Sequence, residues 1–182
     1  MKAFEYIPRY TYKDYALWEG HWELIDGHPH SMSPSPLKQH QRVGKKLLGV
    51  LDELLETGGA CKDCEVFYEL DWIISDDTTV RPDLMIVCGD MKENFLTFPP
   101  TLIIEILSKA TSLKDRHIKH KLYETQGVKF YLLVNPDTKT TEIFELINGA
   151  YVPNDTISRF ALHGNCELAF DIPAFVQGLK LD

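Results

Sequence analysis

Residues 78–90 read TTVRPDLMIVCGD, and residues 100–111 read PTLIIEILSKAT. Each sets a carboxylate against an apolar run: Asp83 follows Pro82 at the mouth of Leu84–Val87, and Glu105 stands inside Leu102–Leu107. A buried, unpaired carboxylate costs several kcal/mol or takes up a proton, so such a position calls for a partner, a metal or a proton. Both runs read as strands. LIIEIL lacks the alternation of a half-exposed strand, which points to burial on both faces. The plainer readings are a turn acid after proline for Asp83 and an edge-strand acid facing solvent for Glu105. Taken together the two are more telling, because successive strands can pair antiparallel and bring both carboxylates to one place. Their mutual repulsion is then relieved by a divalent cation such as Mg²⁺, which takes oxygen ligands and keeps several waters.

Around these strands the pattern predicts an α/β fold. WELIDGHPHS reads as a hairpin turning at Asp26-Gly27, a favoured turn pair. From about Pro36 to Thr57, Val43, Leu47, Leu51, Leu54 and Leu55 recur at helical steps, and Gly58-Gly59 stops the helix. CEVFYELDWII and RPDLMIVC read as strands separated by the polar turn SDDTT. Ser112-Leu113-Lys114-Asp115 fits a capping box, predicting a second long helix from about Ser112 to Gln126 with Gly127 as its stop. KFYLLVN reads as a buried strand, TTEIFELINGAYV as a hairpin about Asn148-Gly149, and CELAFDIPAFVQGL as a short strand and a last turn of helix. The expected architecture is a mixed β-sheet flanked by helices, with additional hairpins towards both termini, in a single domain spanning residues 1–182.

The bulk composition narrows the function. No apolar run approaches the roughly 20 residues that span a bilayer, and MKAFEYIPRY lacks the apolar stretch of a signal peptide, so the expected compartment is the cytoplasm and no membrane partner is expected. The four cysteines, Cys61, Cys64, Cys88 and Cys166, are too few for a secreted disulfide framework and are read as reduced thiols. CKDC has zinc-site spacing, but no second pair follows it in the sequence to complete a tetrahedral site. A net charge of −8 argues against indiscriminate coating of nucleic acid. The exception is local. Lys109, Lys114, Arg116, Lys119 and Lys121 stand against the single acid Asp115, either as a solvated helix face or as a surface for phosphates.

The ordered set ELIDG, His40, RPDLMIVC, PTLIIEILS and KDRHIKHKLYETQGVKFYLLVNP resembles the Uma-two family of restriction-endonuclease-like nucleases, in the PD-(D/E)XK superfamily. The resemblance runs from about Trp22 to Pro136. It implies that Asp83 and Glu105 bind Mg²⁺ or Mn²⁺, with the backbone carbonyl of Ile106 as a further ligand. It also implies a lysine two residues after the glutamate, but that position is Leu107. The family's K-L-x-x-Y pattern offers Lys121 from the following helix instead, with Lys119 and Lys109 as substitutes. Ile118 and Leu122 would mark that helix's buried stripe, with Lys121 at its border. Glu23 and His40 match recurring acidic and histidine positions of the family; on spacing alone they read equally well as a strand acid and a core histidine.

The expected activity is metal-dependent hydrolysis of DNA phosphodiester bonds, with Lys109, Lys114, Arg116 and Lys119 on the DNA backbone and a homodimer as the working form. The alternative is a nuclease fold that has lost its chemistry and binds a partner, for which Leu107 is the argument. No G-x-S-x-G, HExxH or P-loop sequence points to another hydrolase.

Overall fold

The computed structural model describes residues 7–32, 37–59, 61–109 and 111–181. A short helix α1 (Tyr12–Tyr15) leads into the hairpin of β1 (Trp22–Ile25) and β2 (His28–Ser31). Its turn residues Asp26 and Gly27 both have positive φ, 50° and 74°, as the Asp-Gly pair predicts. The long helix α2 (Lys38–Thr57) follows, beginning two residues later than expected. Its buried face is His40, Val43, Gly44, Leu47, Leu51 and Leu55, the expected stripe with Gly44 added and Leu54 only half-buried.

The expected strand CEVFYELDWII is two strands, β3 (Cys64–Tyr68) and β4 (Trp72–Ser75), in different sheets. The break falls at Glu69, whose φ of 51° turns the chain out of the extended conformation. The polar turn is shorter than expected, because Thr78–Val80 forms a buried strand of its own, β5. Arg81-Pro82 then separates β5 from β6 (Leu84–Cys88), since proline cannot donate to a ladder. After β7 (Leu102–Ile106) the crossover opens with a π-helical turn at Lys114–Lys119 and continues as α3 (His120–Gln126). The Ser112 capping box does not form; Asp115 is buried and its side chain hydrogen-bonds Thr111 instead. Gly127 ends α3 with φ 82°, as predicted.

β8 (Phe130–Asn135), β9 (Thr140–Ile147) and β10 (Ala150–Pro153) complete a six-stranded sheet in the order β10-β9-β8-β7-β6-β3. It is mixed: β7 and β8 run parallel through the crossover, and the other neighbours are antiparallel. The N-terminal hairpin is built into a second sheet, β2-β1-β5-β4. A two-stranded sheet of β11 (Arg159–His163) and β12 (Cys166–Ala169) precedes the last helix α4 (Ile172–Gly178). The main sheet thus separates two cores. On one face Val43, Leu47 and Leu51 of α2 meet Leu84, Ile86, Ile104, Ile106, Leu132 and Val134. On the other, Met85, Val87, Ile103, Leu107, Tyr131 and Leu133 pack with Trp72 and Tyr123.

Two local contacts set how tightly this closes. A Cβ on Gly44 would stand 2.9 Å from the Tyr68 ring and 3.3 Å from Ile106 Cδ1, so glycine lets α2 approach the sheet beside the end of β7. The cysteines correct the expectation of reduced thiols: Cys61 pairs with Cys166, and Cys64 with Cys88. Folding brings together residues 105 positions apart in the first pair, which spacing in the sequence does not reveal. The unreduced, denatured protein should show no titratable thiol, and reduction should release four. Replacing Cys61 and Cys166 together by alanine should lower stability by about 5 kcal/mol, the loop-closure value for a bridge of this span, readable by denaturant unfolding. Full thiol reactivity before reduction would refute the pairing.

Candidate active site

The register of the two strands decides the site. The antiparallel ladder ends where Leu84 on β6 faces Ile104 on β7, and Asp83, just before β6, and Glu105, in β7, each stand one residue beyond that last pair. Strand alternation puts Glu105 with Ile103 and Leu107 on the face towards the crossover, and both carboxylates are nearly fully buried, at 7% and 3% exposure. β7 is an inner strand buried along its whole length, so the edge-strand reading of Glu105 does not hold.

Each carboxylate is tied by its own partners. Asp83 Oδ2 accepts a hydrogen bond from the Ile106 backbone N–H at 2.6 Å, a cross-strand link next to Glu105. The same oxygen lies 3.2 Å from His40 Nε2, so α2 reaches the site through the first residue of its buried face. His40 Nδ1 is buried with no hydrogen-bond partner among the described residues. Burial lowers the His40 pKa, but the hydrogen bond and charge of Asp83 outweigh it and the net shift is upward. Glu105 Oε1 accepts from Lys119 Nζ and from the Tyr123 hydroxyl, both at 2.9 Å.

Lys119 is the hub. Its ammonium, only 2% exposed, also lies 2.6 Å from Glu23 Oε1 and 3.7 Å from Asp115 Oδ1. Glu23, fully buried on β1, further accepts from Lys114 and, at 3.0 Å, from the Arg81 backbone N–H. Burial works to raise the Glu23 pKa, but the two ammonium groups overcome it and hold it at about 2. Glu105 goes the other way. Burial, reinforced by Asp115, Asp83 and Glu23 and opposed by Lys119, pushes it up to about 8. Burial also raises Asp115, against the pull of Lys119. The Lys119 ammonium is held well above its ordinary pKa: burial disfavours its charge, but Glu105, Glu23 and Asp115 more than compensate.

These groups open into a cleft of about 610 Å³ whose walls include Trp22, His40, Gln41, Asp83, Glu105 and Lys114. Of the residues singled out in the sequence, Glu23, His40, Asp83, Glu105, Lys114 and Lys119 converge here, and Lys109 stands exposed at the cleft. Lys121 does not: its side chain is 75% exposed and pairs with Glu124. Arg116 grips Glu142 through two hydrogen bonds of 2.7 and 2.6 Å on the far side of the crossover. The reason is the π-helical turn. It carries Asp115 and Lys119 inward, in line with Tyr123 on α3, and leaves Ile118 43% exposed, so of the apolar stripe expected from Ile118 and Leu122 only Leu122 packs, partly buried, against the core. Asp115 and Tyr123 were missed in the sequence. Their signal is the D-x-x-x-K-x-x-x-Y spacing, a polar stripe at four-residue steps.

The fold is shared with a crystal structure described as "a putative nuclease belonging to DUF820" from Anabaena variabilis, at a TM-score of 0.68 and 17% identity, over 91% of this chain and 98% of that one. Residues 12–168 match the model of the Uma2 family, described as "Putative restriction endonuclease", and the chain belongs to that family. A Synechocystis protein named "Uncharacterized protein slr1290" is 26% identical over 146 residues, 76% of this chain and 75% of that protein. No described helix is long and apolar enough to cross a membrane.

The shifted carboxylates have a consequence for stability. Glu105, raised from 4.5 to about 8, binds its proton more tightly folded than unfolded, so its contribution is present below pH 4.5 and is lost as pH rises through about 8. The upward shifts of His40 and Asp115 act with the same sign. In chelator, thermal stability should therefore fall between pH 5 and pH 8, and Glu105→Gln should flatten that fall and be the more stable protein at the alkaline end. A parallel pH profile for the two proteins would show that Glu105 is ionised throughout.

Proposed function

We propose that this cleft hydrolyses phosphodiester bonds of DNA with Mg²⁺ or Mn²⁺ held by Asp83 and Glu105. The observation that carries the reading is the facing pair itself, two carboxylates from adjacent strands lining one cleft with a lysine ammonium 2.9 Å from the second. Membership of the Uma2 family supports it.

The donor set suits a hard cation. Glu23, Asp83, Glu105 and Asp115 bring four carboxylates against the ammonium groups of Lys114 and Lys119, so the cluster carries excess negative charge and offers oxygen ligands. Among the described residues no three histidine, cysteine, aspartate or glutamate side chains gather as a ready-made cage. A cation here would draw on the two carboxylates, the Ile106 carbonyl and water, the habit of Mg²⁺. When bound, it lowers the pKa of water and neutralises charge on the scissile phosphate.

The chain's own groups do the rest. Lys119 takes the place of the lysine missing at Leu107: its ammonium, favoured in the charged form by the surrounding carboxylates, lies at the glutamate, where it stabilises charge developing on the phosphate or orients the attacking water. Glu23 and Asp115 position that ammonium, and the Tyr123 hydroxyl fixes the carboxylate it serves. His40 orients Asp83. Lys109 stands at the cleft for the substrate's phosphates, whereas Lys114 is turned to Glu23 and Arg116 to Glu142. The inactive-scaffold alternative rested on Leu107, and an ammonium supplied from the crossover weakens that argument. Cutting both strands of a duplex takes two such clefts, so a homodimer belongs to the same reading.

Mn²⁺ titrated calorimetrically into the wild-type protein should bind saturably, and Glu105→Ala should abolish the binding while leaving the circular-dichroism spectrum unchanged. With Mn²⁺ and plasmid DNA, Lys119→Gln should lose nicking by two orders of magnitude or more, about the contribution of one preorganised charged group. Lys121→Ala should retain it. Undiminished activity of Glu105→Ala would overturn the mechanism, and loss of activity in Lys121→Ala alone would return the role to that residue.

A further inference from the structure

With Lys114 and Lys119 turned inward and Arg116 paired to Glu142, the basic run 109–121 leaves little free positive charge for a polyanion. The charge of α2 is arranged differently. From Leu37 to Leu51 the sequence holds Lys38, Arg42, Lys45 and Lys46 and no acid, whereas Asp52, Glu53 and Glu56 fill the last turns with no cation. Lys38, Lys45 and Lys46 are exposed, and among the described residues none of the three is in an ion pair. Arg42, half-buried, donates to the Leu181 carbonyl at 3.0 Å and fixes the end of the chain against the helix.

Helix stability does not account for this pattern. The amino end of a helix favours acids and the carboxyl end favours cations, yet α2 has a lysine and no acid in its first turn, and Glu56 and no cation in its last. Nor does packing account for it, because the buried face of α2 lies on the other side, through Val43, Leu47 and Leu51. The basic half is also the half that reaches the cleft. Leu37, His40 and Gln41 line it, and Lys38, Gln41 and Lys45 follow one another at three- and four-residue steps along one side of the helix. Lys38 and Lys45 are about 10 Å apart along the axis, a span of about three phosphates of one strand.

We propose that the exposed face of the first turns of α2, through Lys38, Lys45 and Lys46, holds the phosphate backbone of DNA beside the cleft. This rests on the reading of the cleft as a phosphodiesterase site and adds to it the path of the substrate: the strand lies along α2 and meets Asp83 and Glu105 where Gln41 and His40 enter the cleft. The contact reads charge and not sequence, so it sets affinity and register and leaves base preference to other residues.

The test compares the wild-type protein with the double variant K38E/K45E in chelator, using fluorescence anisotropy of a short labelled DNA duplex of mixed sequence over a range of NaCl concentrations. The variant should bind at least about tenfold more weakly at low salt, and its plot of log affinity against log salt should be shallower by about one to two units. Its melting temperature should be equal to or above that of the wild type, because a glutamate at position 38 suits the helix start. Calorimetric Mn²⁺ binding should be unchanged, which shows the cleft intact. Equal affinity and equal salt slope in the two proteins would overturn the strip and leave the hydrolytic reading standing. Absence of DNA binding by the wild type at the lowest salt would also overturn it. Binding lost in the variant, with no cleavage by the wild type in Mn²⁺, would support the strip and sink the hydrolytic reading instead.

Discussion

One ammonium holds the site together. Lys119 Nζ stands almost wholly out of water between Glu23, Glu105 and Asp115, carboxylates supplied by the small sheet, the main sheet and the crossover. Desolvating an isolated ammonium is prohibitive, and so is desolvating any of the three acids without it; the cluster exists only because each side cancels the other's cost. Such a cluster adds little net stability compared with apolar packing, but it specifies geometry. It tolerates only the arrangement in which β1, β7 and the π-helical turn meet within hydrogen-bonding distance. Tyr123 adds a second hydrogen bond to Glu105 Oε1 and the Arg81 backbone N–H one to Glu23 Oε1, whereas the buried Asp115 Oδ1 has no hydrogen-bond partner among the described residues.

The cluster has more acid than base, and Glu105 registers the excess. Glu23 is gripped by two lysines and stays ionised far below neutrality, whereas Glu105 shares Lys119 with it and is pushed up to about 8. Two glutamates of the same chemistry, bound to the same ammonium, are thus driven in opposite directions by the second lysine that only one of them has. A site in this condition is short of positive charge. In the proposed reading that is what a divalent cation brings, and the proton on Glu105 occupies the site in its absence.

Much of the fold was legible in the sequence because it rests on short-range chemistry. The turns at Asp26-Gly27 and Asn148-Gly149 require positive φ and have it, α2 follows the spacing of its leucines, and Gly127 ends α3. The antiparallel pairing that joins Asp83 to Glu105 was legible too, since both acids sit in continuous apolar runs. What failed was long-range or locally irregular. The split of CEVFYELDWII depends on a left-handed Glu69, which no propensity requires. The cysteine pairs depend on tertiary contact. On the crossover, Ile118 and Leu122 suggested an inner face, but Ile118 is exposed and the fully inward positions go to Asp115, Lys119 and Tyr123. Hydrophobic periodicity identifies the buried face only where burial is apolar. A face buried for its charges reads as solvent-exposed, and the run 109–121, basic on paper, spends its central cations inside the protein.

In the proposed reading, that inversion explains how the cleft can work without a lysine two positions after Glu105. A residue two positions after Glu105 shares its face of β7, so a lysine there would project beside the glutamate; Leu107 instead packs with Val87, Ile103 and Leu133. For electrostatics only the place of the ammonium matters, not the backbone it hangs from. A π-helical turn is wider than an α-helical one and redirects the side chains that follow it, which is how the crossover brings the Lys119 ammonium to Glu105. The exchange carries a constraint. An ammonium on a strand is fixed by the ladder, but one on a crossover needs its own anchors, and Glu23 and Asp115 supply them. The buried glutamate of β1 and the aspartate four residues before Lys119 are therefore best understood with the lysine as one unit, which a change at any of the three would unsettle.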